Sequence, residues 1–221
     1  MNINDMNMVI TGANGCLATY LLEYFSNKAA FVVGTVRKLS KTTKPKKNEA
    51  IIEMDPLDHY SIDNAISWVQ NESGDIHVWM NIIGGFIMGN RIEEGHGDWV
   101  YMYNTNFMTA LNCCQQILPA MKKNNWGRII NIGSRVATRG QALSGPYCAS
   151  KLALHSLTKT IALENNDNIT CNAMLSEIID TIANRKNMPN AEFDTWTTVN
   201  LIAQKIEYSI VSKQSGLLIE V

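Results

Sequence analysis

The stretch Met8-Val9-Ile10-Thr11-Gly12-Ala13-Asn14-Gly15-Cys16-Leu17-Ala18 carries the first decision about the fold. Its first four residues form a short apolar run that stops at a glycine. From Cys16 to Asn27 the apolar residues recur at helical spacing, with Leu17, Leu21, Leu22 and Phe25 on one side. A buried strand therefore feeds a tight turn and then a helix. Glycine permits that turn and lets backbone amides approach a pyrophosphate. The helix start adds free N–H groups and a partial positive charge. A plain structural turn needs glycine too, but the strand before and the helix after are the context that favours a nucleotide. Gly12, Asn14, Gly15, Cys16 and Leu17 are accordingly candidate cofactor-binding residues. Ala18 is small enough for close helix–strand packing, and Cys16 stands where many such loops have glycine.

Outward from this turn, apolar runs and helical patterns alternate to the end of the chain. Strands are predicted at Phe31–Val36, Ala50–Met54, Arg128–Ile132, Ile169–Leu175 and Leu217–Val221, with a further apolar run at His77–Ile83 that ends in Gly84-Gly85. Helices are predicted around Ser61–Asn71, where Ser61 and Asp63 are candidate caps, along one amphipathic stretch from Asp98 to Lys123, and over Ser144–Asn165. Short apolar strands separated by helices imply a parallel sheet covered on both faces. The expected fold is α/β: a single Rossmann-type doubly wound domain over residues 1–221, with no repeat or linker.

Composition is that of an ordinary globular protein. The chain has 221 residues, 46% of them apolar and 18% charged, with a formal net charge of -1. Nothing in that balance favours nucleic acid or an acidic membrane. The five cysteines are odd in number and show no metal-ligand spacing, so no metal site is expected and a reducing cytoplasm is. His59, His77, His96 and His155 show no ligand spacing either. No signal peptide or membrane span is read.

Basic residues cluster after the second strand. Arg37, Lys38, Lys41, Lys44, Lys46 and Lys47 fall in a stretch without Asp or Glu. In dinucleotide folds an acid at this strand end accepts from the ribose of NAD, whereas cations favour the 2′-phosphate of NADP. Arg37 and Lys38 are thus candidate cofactor residues, and NADP(H) is favoured over NAD(H). A solvated basic loop is the plainer alternative, and a nucleic-acid patch lacks interleaved aromatics. Asp55 either accepts from the adenine amine or begins the Asp55-Pro56 turn.

Tyr147-Cys148-Ala149-Ser150-Lys151 places a phenol and an ammonium four residues apart, on one helical face. A tyrosine of pKa near ~10 is a poor acid at neutral pH, and a neighbouring cation lowers that value. Ser134 follows the strand Arg128–Ile132, at the sheet edge where ligands bind in open α/β folds. One such pair is weak by itself; with Ser134 and the nucleotide turn it is specific.

With these residues in view the chain resembles the short-chain dehydrogenase/reductase family along nearly its whole length. Asn81-Ile82-Ile83-Gly84 is similar to that family's Asn-Asn-Ala-Gly signature, and Asn106 matches its helix asparagine. The resemblance implies that Tyr147 donates a proton, that Lys151 lowers its pKa and holds the nicotinamide ribose, and that Ser134 polarises the substrate. It further implies that Asn106 supports a proton-relay water, that Asn81 and Gly84 contact the cofactor, and that Thr181 meets the carboxamide. Asp180–Pro189, with Ala191, Phe193 and Trp196, resembles the C-terminal part of dihydropteridine reductases, as do the Gly84-Gly85-Phe86 turn and Lys151 with His155. Bacterial reductases of unassigned substrate share the same stretch. Leu175-Ser176-Glu177-Ile178 replaces the family's usual Pro-Gly.

The expected activity is an NAD(P)H-dependent reductase of a carbonyl or imine-like substrate, dihydropteridine-like as one option. The alternatives are a 3-oxoacyl or ketone reductase and a non-catalytic dinucleotide sensor. Asn184, Arg185 and Met188 are expected on a substrate-side loop, and His155 and Cys148 in packing. The family habit implies a homodimer or homotetramer built on the two long helices. No long C-terminal lid is expected.

Overall fold

The computed structural model describes residues 1–39, 47–165 and 168–221. Strands β1 (Asn7–Thr11), β2 (Phe31–Val36), β3 (Glu49–Glu53), β4 (Val78–Asn81), β5 (Gly127–Ser134) and β6 (Ile169–Ser176) alternate with helices. These are α1 (Cys16–Ser26), α2 (His59–Ser73), α3 (His96–Tyr103), α4 (Thr109–Lys123), α5 (Arg135–Arg139) and α6 (Gly145–Glu164). A small parallel pair, β7 (Ile179–Asp180) and β8 (Thr197–Thr198), brackets α7 (Ile182–Asn187). The helix α8 (Val199–Val211) leads to β9 (Leu218–Glu220).

Seven strands form one parallel sheet in the order β3-β2-β1-β4-β5-β6-β9. This is the doubly wound Rossmann fold. Every residue of β1, β4, β5 and β6 is buried, because helices cover both faces. Alternation along the strands sorts the core into two layers. Met8 and Ile10 of β1 join Leu21, Phe25, Met80, Ile130, Ile202 and Ile206, the layer under α1 and α8. Val9, between them, joins Ile62, Trp79, Cys113, Ile117, Ile129 and Ile161, the layer under α2, α4 and α6. The chain leaves β1 for opposite sides of the sheet at β2 and β4, and this reversal opens a crevice at the carboxyl ends of the strands.

The predicted strands appear within one or two residues, save that the His77–Ile83 run shortens to β4. Three local readings change. The stretch from Asp98 to Lys123 is not one α-helix: a π-turn at Asn104–Met108 separates α3 from α4. The cap of α2 is Asp58, whose carboxylate accepts from the Tyr60 N–H at 3.0 Å, since the Ser61 hydroxyl is taken by the Asp55 N–H at 2.9 Å. Helix α8 is additional, started by Thr198 accepting from the Leu201 N–H. Lys41, Lys44 and Lys46 lie outside the described residues. Among the described residues no helix is long and apolar enough to cross a membrane.

Candidate active site

The turn after β1 sets the site. Gly12 has φ +73°, and a Cβ on it would lie 2.8 Å from Ile83 Cγ1, so both backbone and space require glycine here. The Gly15 N–H donates to Gly12 O at 2.9 Å, and Gly15 then caps α1. Thr11 Oγ1 accepts from the Ile82 N–H at 3.0 Å and ties the turn to the segment after β4. The amides at the start of α1 consequently face the crevice, where an anion is favoured.

A cavity of about 1300 Å³ runs from this turn along the strand ends. Gly12, Asn14, Gly15, Cys16 and Leu17 line it, together with Arg37, Lys38 and Asp55 and with Gly84, Tyr147, Lys151 and Thr181. The structure thus gathers the turn, the basic strand end and the tyrosine–lysine pair around one space. Asp55 also forms the expected turn, its carboxylate accepting from the Leu57 N–H at 3.0 Å.

Tyr147 and Lys151 stand one turn apart on α6. Lys151 is buried, and its Nζ donates to Ile132 O at 2.7 Å. Burial without a carboxylate partner pulls its pKa down to about 8. Burial pushes the Tyr147 phenol up, against a smaller lowering by the Ser134 hydroxyl. Here the geometry differs from the expected lowering by Lys151: the ammonium is engaged with a strand carbonyl, and desolvation dominates at the phenol.

Three of the sequence-predicted residues lie behind the cavity wall instead of in it. Asn81 is buried; its Oδ1 accepts from Trp79 Nε1 at 3.0 Å and its Nδ2 donates to Asn131 Oδ1 at 2.8 Å, so it fastens β4 to β5. Asn106 sits in the π-turn. Its Oδ1 accepts from the Gly85 N–H at 2.8 Å, and its Nδ2 donates to Gly85 O at 3.1 Å and to Ser150 Oγ at 3.0 Å. These bonds occupy the amide that the resemblance assigned to a relay water, and they clamp the Gly84-Gly85 turn. Gly84 is closely approached: a Cβ there would lie 3.1 Å from Asn106 Oδ1 and 3.2 Å from Lys151 Nζ, and both side chains would have to shift by a few tenths of an ångström. Ser134 Oγ is buried without a hydrogen-bond partner in the protein.

The remaining wall includes Phe86 and Glu177, from two segments the sequence named, and Met88 and Val136, which it did not single out. Phe86 stands edge-on to Tyr147, with ring centroids 4.8 Å apart and an interplanar angle of 81°, and remains half exposed to the cavity. Met88 and Val136 lie beside it in the wall. Glu177, in the segment that replaces Pro-Gly, pairs with Arg139 at 3.0 Å across the mouth. Of the expected substrate-side loop, Asn184 and Met188 line the cavity. Arg185 turns away into a two-bond pair with Asp180 at 2.6 and 2.7 Å. Thr181 caps α7 by accepting from the Asn184 N–H.

The glycine cradle at Gly12, the close approach at Gly84 and the unpartnered Ser134 hydroxyl fit a nucleotide cofactor with a substrate beyond it. Sequence comparison agrees in kind. A family model described as short chain dehydrogenase matches residues 6–192. The chain is similar to a 3-oxoacyl-(acyl-carrier-protein) reductase of Haemophilus influenzae, 29% identical over 71% of this chain and 66% of that protein. It is also similar to a 3-ketodihydrosphingosine reductase of Bacteroides thetaiotaomicron, 32% identical over 71% of this chain and 57% of that protein. The chain therefore spans less than two thirds of the length of these curated relatives. Among solved structures, ElxO with NADP bound superposes with a TM-score of 0.89 at 24% identity, covering 98% of this chain and 97% of that one.

Proposed function

Since this chain belongs to the short-chain dehydrogenase family, we propose that it is an NAD(P)(H)-dependent oxidoreductase that favours NADP(H) and reduces a carbonyl or imine-like double bond. The observation that carries this reading is the meeting of Tyr147 and Lys151 in the wall of a cavity that begins at an anion-binding turn. All of residues 1–221 serve this one unit. Gly12, Asn14, Gly15, Cys16 and Leu17 hold the pyrophosphate against the start of α1. Arg37 and Lys38 meet the 2′-phosphate, Asp55 the adenine, Lys151 a ribose and Thr181 the carboxamide. Gly84 keeps the nicotinamide end open, with Asn81 and Asn106 supporting it from behind.

When bound, the reduced cofactor supplies a hydride. Tyr147 gives its phenolic proton to the substrate oxygen or nitrogen and recovers one from solvent. Burial keeps that phenol protonated at neutral pH, which suits a donor. Ser134, behind the cavity wall, acts on the Tyr147 phenol, whose pKa its hydroxyl lowers. The Phe86 ring beside Tyr147 offers a flat apolar surface, which favours a planar substrate such as a dihydropteridine-like one. The second reading, a 3-oxoacyl or ketone reductase, is favoured by the names of the curated relatives. The exposed apolar side chains Val100, Tyr101, Tyr103, Leu152 and Leu163 suit a homodimer or homotetramer contact, and a reducing cytoplasm suits the five free thiols.

The reading is tested with Tyr147→Phe. Turnover of NADPH with quinonoid dihydropterin or a ketone panel should fall by about a hundredfold or more, with NADPH affinity nearly intact. Unchanged turnover would remove the mechanism, and binding without turnover in the parent protein would favour a sensor. Arg37→Ala should narrow the preference for NADPH over NADH; an unchanged ratio would remove the cofactor assignment.

A further inference from the structure

We propose that His155 is a positioning residue for Ser134: its imidazole holds the Ser134 main-chain N–H, and so fixes the Ser134 hydroxyl beside Tyr147. This rests on the proposed reductase site and adds a residue that does not touch the cavity.

The need for such a brace comes from the sheet. The last pair between β4 and β5 is Asn81 with Asn131. Beyond it β5 runs on beside β6 alone, to Ser134. Backbone groups on the vacated side need partners, because a buried unpaired N–H or C=O is costly. Helix α6 supplies them from one face. Lys151 Nζ donates to Ile132 O at 2.7 Å, and His155 Nε2 accepts from the Ser134 N–H at 3.1 Å. Two side chains one helical turn apart thus serve two strand groups two residues apart. The same helix carries Tyr147, so the serine and the tyrosine are referred to one rigid element.

The fit is specific. His155 is buried, and a Cβ on Gly133 would lie 2.5 Å from its Nε2. Glycine at 133 is what allows the ring to reach the strand. The ring must be neutral to accept, with its proton on Nδ1, which has no partner in the protein. Burial, with the charges of Lys151 and Lys159 nearby, holds its pKa down at about 4 and keeps the acceptor available at neutral pH. Among the described residues, the only side-chain group Ser134 Oγ is seen to act on is the Tyr147 phenol, whose pKa it lowers, so the backbone is its anchor.

A plain packing histidine would affect stability and nothing else, and the experiment separates the two. Full-length protein labelled with 13C at the tyrosine ζ position is titrated, the Tyr147 signal being assigned with Tyr147→Phe. His155→Leu, which removes the acceptor, should raise the Tyr147 midpoint in the same direction as Ser134→Ala and add little to it in the double variant. His155→Gln, whose carbonyl can accept, should stay near the parent. With a substrate the parent reduces, His155→Leu should lower kcat about ten- to hundredfold, with KM and NADPH affinity within about twofold. If His155→Leu does not fold, Gly133→Ala, which drives the ring off the strand, is read in its place. A parental Tyr147 midpoint and kcat in a folded variant, or full additivity with Ser134→Ala, overturns the proposal. Loss of the reductase reading is recognised separately, by Tyr147→Phe turning over at the parental rate while the midpoint result stands.

Discussion

Lys151 shows what a functional side chain demands of a fold. Its ordinary pKa of 10.5 falls to about 8 because the ammonium is buried with only a carbonyl to receive it. Below about pH 8 both folded and unfolded chains hold the proton, and the folded chain carries the full desolvation cost. As pH climbs towards 10.5 the folded chain releases its proton first and the cost fades. Lys151→Met, of similar length, removes that cost but leaves Ile132 O unpaired, so the sign at pH 7 is set by their difference. Its stability relative to the parent should fall as pH climbs from about 8 to 10.5, as measured by urea unfolding across pH. The same variant should lose turnover. Histidine 155 runs in the same sense at lower pH: its folded value near 4 lies under the ordinary 6.5, so its contribution to stability is complete above pH 6.5 and drains away towards pH 4. His155→Gln should flatten that part of an acid-unfolding curve.

Among the elements, the π-turn at Asn104–Met108 has the widest reach. It puts Asn106 under the Gly84-Gly85 turn, where the amide closes two bonds on Gly85. Asn106→Ala leaves the Gly85 N–H and C=O without that partner. It should cost about 1–3 kcal/mol in stability and speed hydrogen exchange at Gly85, while Asn106→Asp keeps the acceptor half of the clamp. None of this is readable from the periodicity of residues 98–123, because the one-residue shift that a π-turn makes is too small to register between two short helical segments. The strands were readable because apolar runs bounded by turns have few other uses. Helix α8 has a readable pattern in Ile202, Ala203, Ile206 and Ile210 behind Thr198. The α2 cap was not readable, since Ser61 and Asp58 compete and a contact with Asp55 decides.

At the scale of the whole molecule, the doubly wound order brings residues 12, 37, 84, 147 and 181 to one crevice; strand–helix alternation foretold the crevice, and the family resemblance supplied positions 84 and 181. Whether a side chain there faces the space or the packing behind it depends on neighbours that no local motif records. Asn81 is claimed by Trp79 and Asn131, and Asn106 by Gly85 and Ser150. The Arg139–Glu177 pair joins the end of α5 to the segment after β6, far apart in sequence, and left no trace in either. A ligand that bridges the crevice should stabilise the whole sheet. NADPH at about a hundred times its Kd should add roughly 2.7 kcal/mol, visible as a rise in Tm, and Gly12→Ala should abolish the rise by straining the turn and striking Ile83.

The departure at Cys16 has a practical side. Four of the five thiols are buried, whereas Cys16 is exposed at the first residue of α1 and borders the cavity. A maleimide should alkylate this position selectively in the native protein, plug the phosphate cradle and be excluded by prior NADPH. That gives a titratable count of competent sites and a single-point attachment for a fluorophore that reports cofactor occupancy.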